Sequence, residues 1–391
     1  MTSSALPNLR FFSPNKFLFG LGTAARTADE VKALGGSKVL LVTDKALVEQ
    51  GVIRPVTDSL DAGDLPFVVF DGVLPDAPIS LVGQAYSLLQ AEGCDAVVGC
   101  GGGSPIDIAK AVSLVATNGT DVRSMLGNDK VARAGIPKVI LNTTHVAGAD
   151  VGCAAVLQID EVTHEHGVIA SRFVLPDVVI NDPLLTVSMP PETTADTAVD
   201  VLVTGIECLT GADANPLSDV LCEKILKICA DYLPAVVRDG SDLEARYNLS
   251  LAASMAGWAY MSSFIGAVHG VSYGVASVCG LTHGRSMAAI LPAVMRFNIP
   301  ANPGGFKRIA EIFGADTSGL TALQAAELGV VAVEGLLDAV GVPHTVSTHG
   351  LRREDVQRVA DLSWSQIGDF LDTNARPFTR QDVVDMLNAA L

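Results

Sequence analysis

The 391-residue chain is predicted to be α/β over its first half and all-α over its second, and three observations carry this. Up to about residue 185, short β-branched runs alternate with helix-length amphipathic segments, the pattern of a parallel sheet covered on both faces. Beyond that point the strand-like runs cease. Apolar residues instead recur at three- and four-residue spacing, as in "NPLSDVLCEKILKICADYL" and "LTALQAAELGVVAVEGLLDAVG", which is the period of a helix with one buried face. Between the two patterns lies "NDPLLTVSMPP", residues 181–191, whose prolines interrupt either kind of element. The length also exceeds what one compact core serves. Two domains are therefore expected, 1–185 and 186–391.

The strands are expected in "KVLLVTD" (38–44), "PFVVFDG" (66–72), "AVVGCGG" (96–102), "KVILNTT" (138–144) and "DVVIND" (177–182), each bounded by turn residues. Segments such as "ISLVGQAYSLLQAEG" supply the helices between them. In the second half, residues 247–284 contain no Asp, Glu, Lys or Arg. That stretch is long enough to span a bilayer, but Asn248, Ser254, Ser262, Ser263, His269, Ser272 and His283 interrupt it, so buried central helices are expected instead.

Composition limits the function classes. Hydrophobic residues make up 49% and charged residues only 18%, which favours a deeply buried interior or an oligomer with hidden surface. The net charge of −17 repels a phosphate backbone and makes nucleic acid a poor partner. The seven cysteines include no CxxC pair and sit in apolar surroundings, so reduced, buried thiols are expected. No secretory signal is visible in "MTSSALPNLRFFSPNKFLFG", and a cytoplasmic protein is expected.

The most informative stretch of the first half is "AVVGCGGGSPIDIAK", residues 96–110, where an apolar strand runs through a glycine-rich turn into a helix. Such a turn lets backbone N–H groups approach an anion at the positive end of a helix, and a pyrophosphate fits there. The same residues have a purely local reading: Ser104, Pro105 and Asp107 spell an N-cap, a proline at the first helical position and a capping box with Asp in place of Glu. Asp44, closing "KVLLVTD", is placed to accept hydrogen bonds from the hydroxyls of an adenosine ribose and to repel a 2′-phosphate, favouring NAD over NADP. An Asp ending a strand is also an ordinary turn residue.

Taken in register, "VTD", "GGGSPIDIAK", "LPDVVINDPLLTVSMPP" and "HGRSMAAILPAVMRFN" make the chain resemble the iron-containing, or group III, alcohol dehydrogenase family over nearly its whole length. The resemblance implies a Rossmann-like dinucleotide-binding domain, an all-helical domain of the dehydroquinate synthase-like kind, and NAD in a cleft between them. Asp44, Gly101, Gly102, Gly103, Ser104, Thr143 and Thr144 stand at positions similar to that family's cofactor contacts, and Asp107 is counted with them. One departure lies here: the family's Thr-Thr-Ala-Gly-Thr-Gly-Ser-Glu loop is replaced by "TTHVAGAD", residues 143–150. His145 is new in that loop and is expected to point to solvent.

The resemblance also implies a divalent metal held by one Asp and three His. Asp200 matches the Asp, and His269 and His283 match two of the histidines, while the remaining ligand position is Thr204. Positions 200 and 204 share one helical face, so the geometry for a pair persists without the second imidazole. Asp200 lies among Val199, Val201, Leu202 and Val203, and a buried carboxylate there needs a cation or donors. A carboxylate with two imidazoles is a set that suits Fe(II), or Zn(II) with an open position. Tyr273, one helical turn beyond His269, stands where the family carries another His, and it is the candidate proton donor.

The expected activity is hydride transfer between NAD(H) and a small alcohol or aldehyde, with Tyr273, His269 and His283 as catalytic residues, by a homodimer without nucleic-acid or membrane partners. An NAD-assisted lyase or cyclase, or a relative that has lost catalysis, are the alternatives. Arg285, directly after "THG", is expected to attract an anionic substrate.

Overall fold

The computed structural model describes residues 9, 11–160, 165–366, 368 and 370–391. Phe12–Met189 pack as one compact unit, and Pro190–Leu391 make up most of a second. The change falls where Pro190 and Pro191 open a new helix, because proline at a first helical position forfeits no hydrogen bond.

The first unit is built on a six-stranded sheet of β1 (Lys16–Phe19), β2 (Val39–Val42), β3 (Phe67–Phe70), β4 (Ala96–Gly101), β6 (Lys138–Asn142) and β9 (Val178–Asn181). The strands run in the order β1-β9-β6-β4-β2-β3, and every pairing is parallel. A smaller sheet joins β5 (Gly127–Asn128), β8 (Glu165–Ala170) and β7 (Ala154–Asp160). All five expected strands form. The four-residue edge strand β1, the two-residue β5 and the β7–β8 hairpin are not announced by the sequence pattern.

Strand alternation explains why both faces of the large sheet are covered. Leu40 and Val42 enter one hydrophobic cluster, while Val39 and Leu41 of the same strand enter another, since successive side chains point to opposite faces. Helices α1 (Thr27–Ala33), α2 (Lys45–Glu49) and α3 (Arg54–Ala62) precede β3, and α4 (Ser80–Glu92) and α5 (Gly103–Asn118) follow it. Residues of α1 and α3 pack into the second cluster, and residues of α4 and α5 into the first. From β2 the chain crosses to β3 on one side, and from β4 it crosses to β6 on the other. The carboxyl ends of β2 and β4 therefore flank a topological switch point, the place where open α/β sheets bind ligands.

Two buried ionisable side chains of α5, Asp107 and Lys110, brace it against the segment leading into β7. Lys110, fully buried, donates to the carbonyl oxygens of Ala149, Gly152 and Ala154. Asp107 accepts the Val156 N–H at 3.1 Å. Burial lifts the Asp107 carboxyl to about 6, against the opposing pull of Lys110 and the Val156 hydrogen bond. The folded chain thus holds this proton more tightly than the unfolded chain, whose carboxyl titrates near 3.9. Its stabilising contribution is full below that value and is lost as pH rises through about 6. Asp107→Asn is expected to remove this dependence, so that the stability difference between variant and wild type shifts in the variant's favour by about 2 kcal/mol between pH 4.5 and 7. Urea unfolding midpoints across that range check it.

The second unit is helical among its described residues: α6 (Pro191–Thr210), α7 (Pro216–Arg238), α8 (Leu243–Ser263), α9 (Ala267–Cys279), α10 (His283–Ala288), α11 (Leu291–Asn298), α12 (Pro303–Ile312), α13 (Ala322–Ala339) and three further helices to Ala389. An asparagine capping box at Asn215, with Pro216 at the first position, starts α7. The uncharged stretch becomes α8 and α9, bent by 114° at the break between them. Among the described residues no single helix is long and apolar enough to cross a membrane. All seven cysteines are free, and five of them are buried.

Candidate active site

At the carboxyl edge of the sheet, β4 ends at Gly101, Gly102 stands at the N-cap position and α5 begins at Gly103. No side chain caps this helix, which corrects the capping-box expectation. The helix starts two residues earlier than that box requires, placing Ser104 inside its first turn, and the Asp107 carboxylate is turned to Val156. Among the described residues the first-turn N–H groups of α5 meet no capping side chain, the arrangement that receives an anion. A Cβ at Gly101 would lie 2.5 Å from Pro105 Cγ, and one at Gly102 would lie 3.1 Å from Thr144 Cγ2. At Gly103 a Cβ would meet nothing within 4 Å, so the protein itself leaves that approach open.

The neighbouring candidates gather around this turn. Asp44, half-buried at the end of β2, accepts the Leu47 N–H through Oδ1 at 3.0 Å and so caps α2. Gly101 and Asn142 are in register between β4 and β6, and the Thr143 N–H donates to the Gly101 carbonyl at 2.9 Å. The Thr144 N–H and hydroxyl both donate to Asn142 Oδ1, at 2.9 and 3.1 Å. This Asx turn reverses the chain, and His145 ends fully buried, contrary to the expectation that it faces solvent.

In the helical unit, Asp200 on α6, His269 on α9 and His283 at the start of α10 bring one ligand atom each to within 4.8 Å of one another. Asp200 and His269 are buried and His283 is exposed. The Asp200 Oδ1–His269 Nε2 separation is 3.4 Å, long for a hydrogen bond but about the spacing of two donors on one tetrahedral ion with bonds near 2.1 Å. The opposite ring nitrogen, Nδ1, lies 2.6 Å from Glu207 Oε2. A metal-ligating histidine normally gives its second N–H to such a carboxylate, so the residues present fit a divalent cation. Burial alone would push His269 toward its neutral form. The Glu207 carboxylate, then the hydrogen bonds with Asp200 and Glu207 and the charge of Asp200, outweigh it and raise the ring to about 10. The site thus demands positive charge, either a proton on Nε2 or a cation in its place.

Two packing features hold these elements together. Asp196, one turn before Asp200, accepts Arg285 Nε at 3.0 Å and the Thr282 hydroxyl at 2.7 Å. A Cβ on Gly284 would lie 1.9 Å from the Asp196 carbonyl oxygen, so only glycine lets α10 approach α6 this closely. Tyr273 stacks on His283 with ring centroids 5.5 Å apart, and the two imidazoles lie 5.6 Å apart.

The comparisons with known proteins agree with this arrangement. The family description "Iron-containing alcohol dehydrogenase" matches residues 14–183, and that of the C-terminal region of the Fe-containing alcohol dehydrogenase family matches residues 194–391. The chain belongs to the iron-containing alcohol dehydrogenase family. It is 33% identical over 387 residues to 1,3-propanediol dehydrogenase of Citrobacter freundii, covering 98% of this chain and 97% of that protein. It is 32% identical over 381 residues to NAD-dependent methanol dehydrogenase of Bacillus methanolicus, covering 97% and 99%. Among solved structures, that of a 1,3-propanediol oxidoreductase superposes with a TM-score of 0.94 at 31% identity, covering 98% of this chain and all of the other.

Within the iron-containing alcohol dehydrogenase frame, Thr204 occupies the buried stripe of α6 between Asp200 and Glu207. Among the described residues the His, Cys, Asp and Glu donors that can share an ion are Asp200, His269 and His283 alone. Arg285 is held on one side, where its Nε donates to Asp196, an internal anion. Glu207 was missed in the sequence. It stands seven residues after Asp200 on the same helical face, and helical arithmetic on a lone glutamate among buried apolar residues was the available signal.

Proposed function

We propose that this protein is an NAD(H)-linked oxidoreductase that interconverts a small alcohol and its aldehyde. The observation that carries the reading is the meeting of Asp200, His269 and His283, with Glu207 on the far nitrogen of His269, in a member of this family. Residues 1–185 are assigned to the cofactor and 186–391 to the metal and substrate.

In this reading the N–H groups at Gly102, Gly103 and Ser104 hold the pyrophosphate, Thr143 and Thr144 flank it, and the second oxygen of Asp44 meets the adenosine ribose. Asp107 is assigned to the packing of the turn's helix. Asp200, His269 and His283 would hold iron or zinc. When bound, the cation and the nicotinamide supply a Lewis acid and a hydride acceptor. Glu207 keeps a proton on Nδ1 of His269 and so leaves Nε2 as the donor atom. The Tyr273 phenol, stacked on His283, is assigned to exchange the proton of the substrate oxygen. The net charge of −17 supports a protein without nucleic-acid partners, and the low charged content supports a homodimer.

The test is NADH absorbance at 340 nm with a panel of short alcohols and aldehydes, with zinc or ferrous iron added. Turnover of at least one pair is the expected outcome. A lyase or cyclase that returns its hydride gives no net absorbance change. That result, with every substrate silent, would replace this reading.

A further inference from the structure

We propose that Glu207 is a positioning residue of the metal site, setting through its two oxygens both the tautomer of His269 and the placement of the helix that carries it; this rests on the reading given under Proposed function. Oε2 meets His269 Nδ1 at 2.6 Å. Oε1 accepts the Val268 N–H at 2.6 Å, and Asn374 Oδ1 accepts the Ala267 N–H at 3.2 Å beside it. These two side chains satisfy N–H groups in the first turn of α9, which otherwise has no side-chain cap from its own N-cap residue, Gly266. Gly266 is small for a reason: a Cβ there would lie 2.9 Å from Asn374 Oδ1 and 3.2 Å from Glu207 Oε1. Glu207 is 5% exposed, so little water competes for either oxygen.

The chemistry requires a carboxylate. An ionised carboxylate is an acceptor at both oxygens, so it takes Val268 N–H on one side and Nδ1–H on the other, and Nε2 is left with its lone pair toward Asp200 and His283. A glutamine in the same place offers one acceptor and one NH2 group. With its carbonyl on Val268 it presents a donor to Nδ1, which moves the ring proton to Nε2 and blocks the ligand atom. With its carbonyl on Nδ1 it opposes one donor with another at Val268. Either orientation removes one of the two functions. The demand on Glu207 is sharper in this chain, because Thr204 replaces an imidazole and leaves His269 as the one buried nitrogen donor in the cluster.

The experiment compares Zn2+ affinity of wild type and Glu207→Gln, by competition with a chromophoric chelator on the full chain. Expected is a Kd raised 10- to 100-fold, with NADH fluorescence titration unchanged within twofold. A folded Glu207→Gln protein that binds Zn2+ within twofold of wild type overturns the proposal while leaving the oxidoreductase reading intact. Failure of wild type to bind Zn2+ overturns both. Should the variant not fold, nitrogen–proton correlation NMR of zinc-loaded, histidine-labelled wild type decides: protonated Nδ1 and zinc-shifted Nε2 for His269 are expected, and a proton on Nε2 overturns the assignment.

Discussion

Replacing His283 with Ala is expected to lower kcat/KM for alcohol oxidation by roughly a thousandfold, about 4 kcal/mol of transition-state stabilisation, and to strip the bound metal from the purified protein. His283 is the informative member of the cluster because it is exposed, so truncating it neither opens a core cavity nor strands a buried charge. The melting temperature of the metal-free protein should therefore match wild type within a degree or two. Truncating His269 instead would leave Glu207 and Asp200 facing each other with no cation between them, and lost stability would obscure lost chemistry. Elemental analysis beside steady-state rates checks the prediction, and full activity with the metal retained would remove His283 from the ligand set.

The second large effect is expected at Gly103. A Cβ there meets no protein atom within 4 Å, its backbone is not in the left-handed region, and it opens a helix where most residues are tolerated. Gly103→Val should fold as wild type does, yet its side chain would stand in the approach to the free N–H groups of the α5 terminus. NADH affinity is expected to fall at least tenfold, about 1.4 kcal/mol or more. Fluorescence titration reads this directly, and an unchanged Kd would place the dinucleotide elsewhere.

The parts legible in the sequence are those written in local pattern. "KVLLVTD" and "KVILNTT" announce buried parallel strands by their β-branched runs, and both appear as β2 and β6. The glycine turn was visible because its consequence, backbone exposed at a helix start, lies within five residues. Asp200, His269 and His283 were named through motifs in register rather than through any local rule. Misreadings arose where a side chain's partner is remote in sequence. Ser104 and Asp107 look like a cap, but Val156 and Lys110 outbid the helix end for the carboxylate. The anchor of Arg285 was likewise out of sight, because Asp196, which holds its Nε, lies nearly ninety residues earlier. His145 looks like a solvent residue because the loop's reversal by Asn142 is a matter of geometry, not composition. Glu207 escaped because one acid in an apolar helix gives no sign of what it faces.

One helix, α6, carries Asp196, Asp200 and Glu207 on a single stripe, engaging respectively Arg285 of α10, His269, and the first turn of α9. Because the three residues share one helix, a shift of α6 displaces all three contacts together. Irreversible loss of activity on heating should accordingly track the parting of α6 from α9 and α10, a step that near-ultraviolet circular dichroism follows, rather than the coming and going of the cation.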